Sequence, residues 1–162
     1  MGPRYRPLDV PDIDSKYRPD LESQLESGEE LRGMCIATQQ STFKGRAVAL
    51  GVTDRRLLLQ PLDRRGDPKG DPESLPPERI ASAEVDGAGG GWANVGPAIL
   101  DSTAVTLKLR TADGQKLKLM MMRGTGALGR LGGGEAQRDG LAALGRWFEE
   151  IGEGRGQASR DR

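Results

Sequence analysis

The run from Thr103 to Met122 constrains the rest of the chain more than any other segment. Val105, Leu107 and Leu109 alternate with Thr106, Lys108 and Arg110, and Leu117, Leu119 and Met121 alternate with Lys116, Lys118 and Met120. Side chains on a strand point to opposite faces in turn, so each half reads as a strand with one apolar face. Ala112-Asp113-Gly114 lies between them, and parity sets the loop length. A two-residue Asp-Gly loop would pair Leu109 with Lys118 and mix apolar with charged residues on one face. A three-residue loop pairs Leu109 with Leu117 and Leu107 with Leu119, with Gly114 in the left-handed conformation. That register sets Arg110 against Lys116 and Lys108 against Lys118 on the outer surface.

A hairpin with one apolar face needs further layers, and the chain supplies strand signals ahead of it. Met34 to Thr38 is a short strand, and Thr42 to Arg46 reads as a turn. Arg46 to Val52 places Val48, Leu50 and Val52 on one face and the small residues Ala47, Ala49 and Gly51 on the other. Thr53-Asp54 is a turn signal leading to a strand over Arg56 to Gln60, and two strands joined so tightly are antiparallel neighbours. Asp63 to Pro77, rich in proline and glycine, reads as a long solvated loop. Ile80 to Val85 is a fourth strand. Trp92, Val95, Ile99 and Leu100 give a fifth, irregular one inside a poorly patterned stretch, Gly87 to Asp101.

Helical signals fall at the two ends. Asp20 caps a short helix over Leu21 to Ser27, stopped by Gly28. Leu141, Leu144, Phe148 and Ile151 fall at offsets 0, 3, 7 and 10, an amphipathic stripe that predicts a helix from about Glu135 to Ile151 with Trp147 at its edge. Gly124 to Gly134 links the hairpin to it. Residues 1–19, with Pro3, Pro7, Pro11 and Pro19, read as an extended or disordered arm, and 152–162 as a polar tail. One domain over 20–151 remains, a mainly β chain with about seven strands and one C-terminal helix that must bury its stripe against the sheet or an open barrel end.

Histidine is absent, and Cys35 is the only cysteine. His-dependent triads, Cys–His dyads and ordinary zinc sites therefore have no residues to form from, and no cofactor or metal site is expected. Carboxylate or lysine chemistry stays open, but no spacing points to it, so the reading is a non-enzyme. Lys+Arg and Asp+Glu stand at 24 each, so global charge favours neither nucleic acid nor an anionic membrane. Apolar runs fall far short of the ~20 residues of a membrane helix. The expected setting is the cytoplasm, with Cys35 a small buried hydrophobe.

Local wording adds a family. Gly28-Glu29-Glu30, a strand, then Val52-Thr53-Asp54-Arg55-Arg56-Leu57-Leu58-Leu59, a later strand opened by Ile80, and Asp113-Gly114 resemble bacterial pleckstrin-homology-like (PH-like) domains over roughly residues 28–151. The resemblance implies a seven-stranded antiparallel, partly open barrel capped by the C-terminal helix. It also implies a scaffold used for phosphoinositides, peptides, proteins or self-assembly. Fold does not select among these, and no catalytic role comes with it.

Candidate site residues fall into three groups. Arg32, Lys44 and Arg46 imitate the basic pattern with which eukaryotic PH domains grip inositol phosphates, although a Lys-Gly-Arg turn is also ordinary solvated surface. Lys108, Arg110, Lys116 and Lys118 form the outer face of the hairpin, where like charges directly opposite are unfavourable. An acidic partner, anionic lipid or the chain's own Glu22, Glu26, Glu29 and Glu30 would neutralise them; a screened lysine face is the plainer account. Trp92 and Met120 are candidates for a shared self-association patch. Gly124-Thr125-Gly126-Ala127-Leu128-Gly129 matches a dinucleotide fingerprint in letters only, because a helix rather than a second parallel strand ends the chain. The expected function is a binding or assembly module acting through protein contacts, including homo-oligomers. Peripheral anionic-lipid binding is the alternative, and an enzyme with an unseen carboxylate or lysine site comes third.

Overall fold

Short connections between alternating apolar runs generate antiparallel neighbours, and the computed structural model shows a sheet of that kind. It describes residues 13–40, 45–89, 92–101, 104–122 and 134–160. In chain order these form α1 (Ile13–Glu22), β1 (Leu31–Gln40), β2 (Gly45–Thr53), β3 (Leu57–Pro61), β4 (Glu73–Leu75) and β5 (Ile80–Val85). Then follow α2 (Trp92–Asp101), β6 (Ala104–Thr111), β7 (Lys116–Met122) and α3 (Gly134–Arg160). The strands make one curled antiparallel half-barrel in the order β4-β3-β2-β1-β7-β6-β5.

The hairpin has the register that parity selects: Leu109 opposite Leu117, Leu107 opposite Leu119, Lys108 opposite Lys118 and Arg110 opposite Lys116. Gly114 has φ +90°, and the Thr111 N–H donates to the Gln115 carbonyl at 2.9 Å to close the three-residue loop. The inner faces of β2, β3, β6 and β7 meet Leu141, Leu144, Trp147 and Phe148 of α3 and Val95 and Ile99 of α2 in one buried core. Trp147, at the edge of the stripe, is also buried in that core, 3% exposed.

β1 pairs with β7 only from Thr38 to Gln40. Upstream the Gln137 side-chain amide of α3 takes the place of a strand, accepting from the Ile36 N–H at 2.7 Å and donating to its carbonyl at 2.9 Å. Backbone groups that lose a strand partner need another, and the amide carries both halves of the bond. Gly140, one turn on, lets the helix close on the strand. A Cβ there would run into the Met34 carbonyl oxygen. The helix glycines therefore serve close packing, in addition to weakening helicity.

A second, smaller core covers the opposite face of β1–β3. Tyr17 and Leu21 of α1 pack with Leu31, Met34, Ala49, Leu58 and Leu62, so the small residues of β2 do face a close neighbour.

Several elements differ from expectation. The first helix is Ile13–Glu22, not Leu21 to Ser27, and it takes in Pro19, so 13–19 is not an extended arm; residues 1–12 lie outside the described set. Tyr17 and Leu21, one turn apart, are the buried pair that fixes it, so packing overrides the proline. The stretch around Trp92 is a helix, not an irregular strand: Trp92, Val95 and Ile99 follow helical spacing, and Gly96 is buried against α3. The missing strand is β4, inside the loop expected over Asp63 to Pro77, where Leu75 pairs with Leu57 and is fully buried. α3 runs past Gly152 to Arg160 rather than giving way to a polar tail. Gly45 and Arg46 already belong to β2; 41–44 and the linker over 124–133, including the glycine fingerprint, lie outside the described residues.

Candidate binding site

Alternation on β6 and β7 sends every second side chain outward, and register then aligns these side chains across the sheet. One row runs Gln40 (β1), Lys118 (β7), Lys108 (β6), Glu84 (β5). The next runs Lys116, Arg110, Ser82. All seven line a single cavity of about 820 Å³, together with Gln39, Gln115 and Trp92. That volume is in the range of small-ligand pockets, about 300–1,000 Å³.

The cavity lining carries four cations and one carboxylate, Glu84. Lys108 is engaged, its Nζ 3.5 Å from Asp86 Oδ1. Arg110, Lys116 and Lys118 have no ion-pair partner among the described residues. The chain's own acidic segment does not neutralise them. Glu22 pairs with Arg18 at 3.2 Å, Glu26 with Arg55 at 3.5 Å, and Glu29 with Arg56 at 2.9 Å. Chemically the site offers donors for carboxylate or phosphate oxygens, flanked by amides that can pair with peptide groups. Among the described residues no cluster of histidine, cysteine or carboxylates has the make-up of a metal site.

Other sequence candidates lie elsewhere. Arg32, near the start of β1, pairs with Glu150 of α3 at 3.2 Å. Arg46 stands at the opposite end of that strand, opposite Gln39, and donates from its guanidinium to Gln39 Oε1 at 3.2 and 3.3 Å. Arg32 and Arg46 therefore do not form one basic cluster, and Lys44 lies outside the described residues. Trp92 is half-buried against the core, its ring tilted on Phe148 with centroids 6.2 Å apart. Met120, between Thr38 and Thr106 on the outer face, is 40% exposed and is not part of the cavity lining.

The two arginines of the Thr53-Asp54-Arg55-Arg56 turn have structural work. Arg56 donates to both carboxylate oxygens of Glu29, to the Gln24 carbonyl and to Ser74 Oγ, and Thr53 Oγ1 donates to Glu29 at 2.7 Å. These bonds, from Arg56 above all, hold the buried Glu29 carboxyl down at about 2. Burial pushes the Cys35 thiol up to about 12, leaving it an inert hydrophobe.

Sequence reasoning missed Gln39, Gln40, Gln115, Ser82 and Glu84. Gln39, Gln40, Ser82 and Glu84 join the site only through the β1–β7 and β5–β6 registers, which no local pattern announces, whereas Gln115 sits in the hairpin turn beside Lys116.

No protein-family model matches the chain. No curated protein matches it either. Among solved structures the chain is similar to the hSac2 domain from human phosphoinositide phosphatase Sac2, with TM-score 0.50 and 11% identity over 88% of this chain and 81% of that one. It is also similar to the C-terminal domain of an unknown protein from Leishmania infantum, with TM-score 0.45 and 13% identity over 84% of this chain and 94% of that one. At 11% identity the Sac2 likeness extends to the fold alone.

Proposed function

We propose that the chain is a non-catalytic binding module of the PH-like kind, holding an acidic segment of a protein partner, or of a second copy, in the cavity on β5, β6 and β7. The observation that carries this reading is the set Arg110, Lys116 and Lys118: three cations in one cavity without an ion-pair partner among the described residues. Like charges directly opposite destabilise a sheet by a few tenths of a kcal/mol per pair, so folding gives no reason to keep two such pairs side by side. A bound anion turns that repulsion into attraction. A cytoplasmic setting belongs to the same proposal.

Peripheral binding of anionic lipid is the second reading. The same cations favour it. Against it, Met120 is the one large hydrophobic side chain exposed among the described residues, and it stands outside the cavity lining. No helix among them is long and apolar enough to cross a membrane.

The test compares the native protein with the double variant Lys116→Glu, Lys118→Glu as baits in native-cell extract, read by mass spectrometry. Co-sedimentation with vesicles containing anionic lipid runs in parallel at low salt. A partner retained by the native bait and lost from the variant is the expected result. Equal retention by both removes the site, and vesicle binding abolished in the variant favours lipid.

A further inference from the structure

Spacing within the cavity narrows the partner further; this step rests on the acidic-partner reading above. Lys116 and Lys118 are alternate residues of β7 on the same outer face. Side chains two apart on a strand repeat at about 6.8 Å, since each residue advances about 3.4 Å. Arg110 stands directly opposite Lys116, and Lys108 and Gln40 flank Lys118 on its two sides. The free cations therefore form two stations one strand period apart, Lys116 with Arg110 and Lys118 beside Gln40.

An extended peptide lying along β7 has the same period. Its acidic side chains at positions i and i+2 point to one face about 6.8 Å apart, one over each station. Adjacent acids point to opposite faces, and only one can reach the cations. In a helical segment, acids meet one face at i and i+4, with about 6 Å of rise. That face is convex, whereas the stations lie across several strands, lined by amide side chains that suit an extended backbone's free N–H and C=O groups. Gln40 and Gln115 supply those amides.

We infer that the site reads an extended acid-x-acid segment of a protein partner, laid along β7 with its two carboxylates on Lys116–Arg110 and Lys118. The peptide's intervening side chain points away to solvent, so its identity is free.

Fluorescence anisotropy with labelled octapeptides of identical composition tests this. One peptide carries two glutamates at alternate positions, the other carries them adjacent, and neither otherwise carries charge. The alternate peptide is expected to bind about fivefold more tightly at low salt, the value of one additional exposed charge pair. Lys118→Gln should remove that preference and weaken the alternate peptide to the level of the adjacent one. Equal binding of the two peptides to the native protein, still sensitive to Lys116→Gln, overturns the spacing while leaving a basic acid-binding site. Binding indifferent to both variants overturns the site itself. Failure of either peptide to bind, with sedimentation on anionic vesicles, overturns the peptide class altogether.

Discussion

Arg56 and Glu29 form a buried ion pair that ties the start of β3 to the segment after α1, with Nη2 2.9 Å from one carboxylate oxygen and Nε 3.0 Å from the other. The Glu29 side chain is fully buried, and the Arg56 side chain is 16% exposed. A buried charge is tolerated only when paired and hydrogen-bonded, and here Thr53 and Gln24 complete the set.

Glu29 makes stability acid-sensitive. Its folded value of about 2 lies below the ordinary 4.5, so the contribution is present above pH 4.5 and is lost as pH falls from there towards 2. Integrated over that interval the linkage amounts to about 3 kcal/mol. Denaturant melts at stepped pH should show this loss, and Glu29→Gln should remove most of it. The variant should also lower stability by about 3 kcal/mol at neutral pH, because it leaves the Arg56 charge unpaired.

Gly140 opposes two physical effects in one residue. Alanine in a helix interior is favoured over glycine by about 1 kcal/mol, so propensity alone predicts that Gly140→Ala stabilises. The contact predicts the reverse. The new Cβ would meet the Met34 carbonyl, which is backbone and cannot rotate aside, and would push α3 off β1. A loss of more than about 2 kcal/mol in urea melts is expected. Hydrogen exchange at the Ile36 amide should speed up as the Gln137 bonds open.

Gly114 isolates backbone conformation from packing. Nothing lies within 4 Å of a Cβ built there, so a larger side chain meets no obstacle. Its φ of +90° is nevertheless costly for a β-branched residue. Gly114→Val should therefore lower stability by about 1–3 kcal/mol, with the hairpin register intact by cross-strand contacts in NMR. An unchanged melt would contradict the left-handed turn.

How much of this was legible follows from where the signals are stored. The hairpin, its loop and its two like-charged pairs follow from alternation and parity, because both strands and their turn are contiguous from Thr103 to Met122. The stripe of α3 is equally local. β4 was hidden because a three-residue strand among prolines has no period of its own; Leu75 is recognisable only once β3 is beside it. α2 was hidden because Pro97 masks a helical spacing that packing against α3 sustains. The strand count came out right through these two offsetting misreadings. Half of the cavity was legible, the half on one hairpin. Gln115 came from the hairpin turn, but Gln39 and Gln40 came from β1, and their place depends on a three-residue overlap of β1 with β7 that is set by where α3 wedges the strands apart.

That overlap leads to a last prediction, which separates a binding face from a merely solvated one. Lys118 stands directly opposite Lys108, and the pair is unfavourable in the free protein. Lys118→Glu would place opposite charges across the ladder, so the free protein should gain a few tenths of a kcal/mol, or about one at most. Affinity for an acidic ligand should fall at the same time, since one station is lost and a repulsive carboxylate takes its place. Opposed changes in stability and binding are what a functional site kept at the expense of the fold produces. The measurement is a pair: a urea melt of the free protein, and anisotropy with the alternate-glutamate peptide. A stability gain with binding unchanged would make the basic face a solvated surface, and a stability loss would mean that Lys118 is already satisfied within the fold.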